Sequence, residues 1–190
     1  MLRMPHADEC QEYYFLYINQ APEGDILSAL ARQRDLVAEL FSSAPAQKHE
    51  YRYAPGKWNL KEVLGHVIDA ERIFAYRAFC IARGDRADLN DMDQEAYARG
   101  ARYRDRPLDS IIAEFRAVRS ATLALFESFT DEEWERSGSA SGRRFTVRTF
   151  PFILAGHERH HCKVVRDRYL GGVAKTGAGP DWLAAGAGSD

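Results

Sequence analysis

Within Phe152–Leu170, FILAGHERHHCKVVRDRYL, three of the chain's six histidines occupy five positions. On a helix turning about 100° per residue, His157 and His161 point about 40° apart and share their direction with Ile153, Leu154 and Val164. Two imidazoles one turn apart on one face can reach a single cation, at about 2.0–2.1 Å each for zinc. A pair alone leaves a ligand to be found. His66 is a candidate, because it shares a helical face with Val63, Ala70 and Ile73 and so looks inward from a second helix. A lone inward histidine is ordinarily a core residue bonded to a neighbour. Three together carry a desolvation cost that one shared cation would relieve, and spacing alone leaves both readings open.

His157-Glu158-Arg159-His160-His161 also matches the H-E-x-x-H pattern of zinc peptidases. That pattern normally has a third ligand downstream, yet no His or Glu follows His161, and Val164 stands where the longer variant needs a glycine. A peptidase is therefore disfavoured. A haem is disfavoured too, since an i, i+4 pair converges on one point and no C-x-x-C-H attachment sequence is present. His160 falls at the flank of the stripe, and His6 and His49 lie outside the periodic segments. Cys80 shares the His66 face but is about 21 Å further along the axis at 1.5 Å per residue, and Cys162 points to the opposite side of its helix. A fourth inward ligand, Asp69 or Glu158, would favour a closed structural site over an open catalytic one.

Four long segments with helical periodicity must position these residues, and none shows the alternation of a half-buried strand. The fold class expected is all-α, a four-helix bundle with a long crossover between its second and third helices. The first helix is expected from Asp25 to Phe41. The second is capped by Asn59, with Glu62 completing a capping box and Gly84 supplying the exit. The third begins near Pro107 and ends before Thr130, which caps a short extra helix. The fourth starts between Thr146 and Phe150 and stops at Gly171-Gly172. The connection Asp85–Arg106 is long enough to carry a short helix around Glu95–Arg99. Residues 1–21 form an N-terminal extension whose Tyr13, Tyr14, Phe15 and Tyr17 serve an interface or fold onto the bundle; 22–172 form the bundle; 173–190 read as a flexible Gly/Ala-rich tail with Trp182 as its one anchor.

At 190 residues the chain can bury a core without staples. Its 45% hydrophobic and 28% charged content is that of a globular protein, and a formal charge of −2 offers no general attraction to nucleic acid or anionic membrane. A small-molecule substrate is the expected partner. Three widely spaced cysteines without C-x-x-C argue against disulfides and thiolate zinc, and suit a reducing cytoplasm. No signal peptide or membrane span is expected.

The segment YRYAPGKWNLKEVLGHVIDAERIFAYRAFCIARGD, the polar DMDQEAY and AGHERHHCKVVRDRYL together resemble the DinB-like superfamily of metal-binding four-helix bundles. The resemblance covers about 22–170 and is most specific at Trp58, at Gly65-His66, and at Gly156-His157 with His161. It implies that His66, His157 and His161 bind a divalent metal such as nickel, zinc, iron or manganese. It further implies a metal-dependent thiol S-transferase using a low-molecular-weight thiol of the bacillithiol or mycothiol kind, or else a non-catalytic metal-binding or stress-response protein with a structural or sensing metal. In the first case the thiol's sulfur would be the nucleophile, with Arg72, Arg77 or Arg159 able to hold an anionic cosubstrate. A homodimer is the expected assembly.

Overall fold

A computed structural model of the chain describes residues 1–171. The 173–190 tail and Trp182 lie outside the described residues. In chain order the helices are α1 (Phe15–Ile18), α2 (Ile26–Ser42), α3 (Leu60–Ala82), α4 (Gln94–Gly100), α5 (Leu108–Glu127), α6 (Asp131–Glu135) and α7 (Thr149–Val164).

Local chemistry sets the ends of these helices. The Asp25 carboxylate accepts the Ser28 N–H at 3.0 Å and starts α2. Asn59 and Glu62 form a reciprocal capping box on α3, with bonds of 2.9 and 2.8 Å, and Gly84 turns the chain away at φ +82°. Thr130 and Glu133 repeat the box on α6. Pro151 sits in the first turn of α7, where its missing N–H leaves no bond unmade. Beyond Val164 the last turn, Val165–Tyr169, widens to π geometry, and the Tyr169 hydroxyl donates to the Trp58 carbonyl at 2.6 Å before Gly171 ends the run at φ +71°.

The bundle consists of α2, α3, α5 and α7. Because α2 packs mainly on α5 and α7, and α3 packs on the same two, the order around the bundle is α2-α5-α3-α7 and the successive helices α2 and α3 stand diagonally. The Asp85–Arg106 connection lays α4 against α3, whereas α1 packs on α7. A small sheet qualifies the all-α expectation. Strand β1 (Asp88–Leu89) pairs parallel with β2 (Ser137–Ala140), which forms an antiparallel hairpin with β3 (Arg143–Thr146). Ser141 and Gly142 make its turn with φ of 57° and 70°. Strands of two to four residues, with Ser, Gly and Arg at half of their positions, are too short to show a period of two.

Two apolar clusters form the core. One gathers Phe74, Phe126, Phe145 and Phe150; the other gathers Phe41, Leu64, Phe115 and Tyr169. Along α2, α5 and α7 the change from one cluster to the other falls at buried polar residues: Gln33, Arg119 and the pair His157-Glu158. A polar seam thus crosses the bundle between two apolar blocks. No helix among the described residues is long and apolar enough to cross a membrane.

Candidate metal centre

At that seam the faces predicted from the sequence meet. His66 reaches in from α3, while His157 and His161 reach in from α7 one turn apart. His157 Nε2 stands 3.1 Å from His66 Nε2 and 3.1 Å from His161 Nε2, and all three offer a ligand atom within 4.8 Å of one another. His66 and His157 are buried and His161 is half-buried. Burial pushes the His66 imidazole down to about 4. It holds His157 and His161 well below their ordinary value, with neighbouring imidazoles lowering them further. At neutral pH the rings are therefore uncharged, the form that donates a lone pair to a metal.

The donor set fits a divalent ion. Two nitrogens each about 2.1 Å from one ion and at right angles to each other stand about 3.0 Å apart, close to both measured separations. Aromatic rings brace the ligands. Trp58 lies over His66 with centroids 4.7 Å apart, Tyr17 meets His157 edge-on at 5.1 Å, and Phe74 is 6.5 Å from His157. The His66 Nδ1 atom is buried without a hydrogen-bond partner among the described residues.

Both candidates for a fourth ligand are engaged elsewhere. The Tyr103 hydroxyl donates to Asp69 Oδ1 at 2.8 Å, with Arg72 at 3.5 Å from the same oxygen. Glu158 Oε2 accepts from Arg119 Nη2 at 2.7 Å, so the glutamate that would be a peptidase base is held in an ion pair. His160 is half-buried beside Tyr17 and His161, with centroids 5.8 and 5.2 Å away, and is not among the converging ligands. His49 points to the Ala44 carbonyl and His6 is exposed. A crevice with no room for a water molecule adjoins His66, lined by Glu62, Asp69, Met92, Gln94, Tyr97 and Tyr103.

All three cysteines are buried free thiols. Burial raises the Cys162 thiol well above its usual value and the Cys10 thiol to about 12, which leaves neither of them nucleophilic. The three arginines considered for an anionic cosubstrate have protein partners. Arg72 pairs with Glu114 at 2.7 Å, Arg77 donates to the Asn90 carbonyl at 2.6 Å, and Arg159 donates to the Gln20 carbonyl at 2.8 Å.

Sequence reasoning missed the group next to the histidines. Arg119 donates through Nε and Nη2 to Glu71 at 2.8 and 2.9 Å, through Nη2 to Glu158 at 2.7 Å, and through Nη1 to the Leu30 carbonyl at 3.0 Å. One guanidinium thereby joins α2, α3, α5 and α7. Burial and the nearby Glu71 push the Glu158 carboxyl up to about 7 against the pull of Arg119. The available signal was positional: Arg119 lies four residues after Phe115 and four before Leu123, on the apolar stripe.

The fold and the site define a class, a helical bundle whose polar seam presents three imidazoles from two helices to one point. The chain belongs to the DinB superfamily, whose family model matches residues 29–165. Among solved structures it is similar to YfiT from Bacillus subtilis, described as a probable metal-dependent hydrolase with an unusual four-helix bundle topology. That match has a TM-score of 0.65 and 14% identity, covering 87% of this chain and 90% of that one. It is also similar to the mycothiol-dependent maleylpyruvate isomerase, with a TM-score of 0.64 and 10% identity over 87% and 68% of the two chains. A DinB-like protein from Bacillus subtilis matches with a TM-score of 0.52 and 22% identity over 73% and 84%. No curated protein sequence matches the chain.

Proposed function

We propose that this chain is a divalent-metal-dependent enzyme that transfers a low-molecular-weight thiol to an electrophilic small molecule. The observation that carries this reading is a donor set of three imidazoles in which Asp69 and Glu158, the adjacent carboxylates, are bound to Tyr103 and Arg119 instead. Three protein ligands leave coordination positions for an exogenous group, whereas a structural or sensing metal is better served by four. Nickel, zinc, iron and manganese all accept imidazole, and the donor set does not choose among them. Held by His66, His157 and His161, such an ion would favour the thiolate form of a thiol bound to it.

The chain's own residues do the rest. The three histidines stay neutral and keep their lone pairs available, and Trp58, Tyr17 and Phe74 pack against the His66 and His157 rings. No protein thiol competes with the cosubstrate, because all three cysteines are buried. The similarity to a mycothiol-dependent isomerase supports a thiol cosubstrate. A second reading, hydrolysis by an activated water at the same site, is favoured by the description of YfiT.

The test is a matrix of metals, thiols and electrophiles. Protein loaded with one metal at a time should consume thiol together with electrophile, and His157→Ala should lose that activity. Ester or amide cleavage that needs metal but no thiol would move the assignment to hydrolase. Metal bound stoichiometrically with neither activity would favour the non-catalytic reading.

A further inference from the structure

Gly156 directly precedes His157 inside α7. A Cβ placed on it would lie 1.8 Å from the Tyr17 carbonyl oxygen and 2.5 Å from the Tyr17 carbonyl carbon. The clash is with backbone, so no side-chain rearrangement relieves it. α1 can rest on α7 at this depth only because residue 156 has no side chain. The contact is fastened just after Tyr17, since Ile18 is fully buried and Arg159 Nη1 donates to the Gln20 carbonyl at 2.8 Å.

The close approach sets the Tyr17 ring edge-on against His157 at 5.1 Å and against His160 at 5.8 Å, with interplanar angles of 80° and 75°. The Tyr17 hydroxyl points away from the imidazoles, to that of Tyr13 at 3.2 Å. His157 is the imidazole within 3.1 Å of both others, so its ring orientation decides whether three lone pairs converge. The segment lies before residue 29, outside the matched family region.

We infer that the N-terminal segment Glu12–Gln20 is a working part of the metal centre: Tyr17 is a positioning residue that fixes the His157 imidazole, and Gly156 admits it. The inference rests on reading the three histidines as a metal site. Its role belongs to the aromatic ring and not to the phenol, because no hydrogen bond joins the Tyr17 hydroxyl to an imidazole.

The experiment is cobalt(II) binding to the full chain, read by chelator competition and by the visible absorption of the bound ion. Tyr17→Ala should weaken cobalt binding about 10-fold or more, the usual size for losing a group that orients a ligand, and should shift the spectrum. Tyr17→Phe should restore both affinity and spectrum. Gly156→Ala should reproduce the Tyr17→Ala spectrum, and if that variant does not fold the two Tyr17 variants still decide. Wild-type protein that binds cobalt, with a Tyr17→Ala variant identical in affinity and spectrum, would overturn the inference alone. Wild-type protein that takes up no cobalt would overturn the metal-site reading and this inference with it.

Discussion

Helices α3 and α7 each contribute to two buried polar clusters: His66 with His157 and His161, and Glu71 with Glu158 around Arg119. In the second cluster the chain supplies both signs of charge, and one guanidinium binds two carboxylates and the Leu30 carbonyl. In the first it supplies neutral imidazoles whose nitrogens approach one another at 3.1 Å. Neutral imidazoles can share one proton between two nitrogens, but a third lone pair aimed at the same point has no such partner. The contrast separates two uses of a polar seam. A cluster in which opposite charges meet fastens the helices together, and one whose donors converge on a common point offers a place for a cation.

Breaking the fastener should have the largest effect on the fold. Arg119→Met leaves two buried carboxylates uncompensated and should cost roughly 3–5 kcal/mol in urea unfolding. Replacing Glu71 and Glu158 by leucine in the same protein should recover most of that loss, because a buried ion cluster exchanged whole for apolar groups is nearly neutral. If Arg119→Met were as stable as wild type, the two clusters would not differ in the way described.

The histidine cluster should respond oppositely. His157→Ala combined with His161→Ala should keep the helical circular dichroism and a cooperative transition, with each site costing about 1 kcal/mol, while metal uptake disappears. A metal-free double variant that collapses would make the histidines part of the fastening.

A third polar group, centred on Glu9, extends the contrast to pH dependence. Burial would raise the Glu9 carboxyl, but bonds from the Arg148 side chain, the His6 N–H and the Thr146 hydroxyl outweigh it and hold it at about 2 instead of 4.5. Since the folded value is the lower one, its contribution is full above pH 4.5 and is lost as pH falls towards 2. Glu9→Gln should therefore lose stability at neutral pH, by about 1.5–3 kcal/mol for a hydrogen-bonded charge, and the gap from wild type should narrow on acidification. A gap that is constant from pH 7 to 3 would contradict the assignment.

Much of this was legible from spacing. The 100° arithmetic placed His66, His157 and His161 on inward faces, and Asn59 with Glu62 marked the start of α3 where it occurs. Other features were hidden for physical reasons. A stripe traced through apolar residues alone passes over Arg119, although its spacing from Phe115 and Leu123 puts it on the same face, where it meets Glu71 and Glu158. Cys162 is not among the converging ligands, yet it too is buried, because Thr149–Glu158 and Cys162 of α7 are all covered and exposure contrasts little with the histidine face. The Tyr17 contact depends on the backbone of two helices distant in sequence, and Gly156 carries no pattern that announces it.

One divalent ion is expected where the three imidazoles converge. The most direct test is elemental analysis of tag-free protein, purified without metal-affinity steps and compared with the His157→Ala, His161→Ala double variant. About one divalent ion per wild-type chain is expected, and none in the variant. Wild-type protein without stoichiometric metal, or a variant that retains it, would contradict the account.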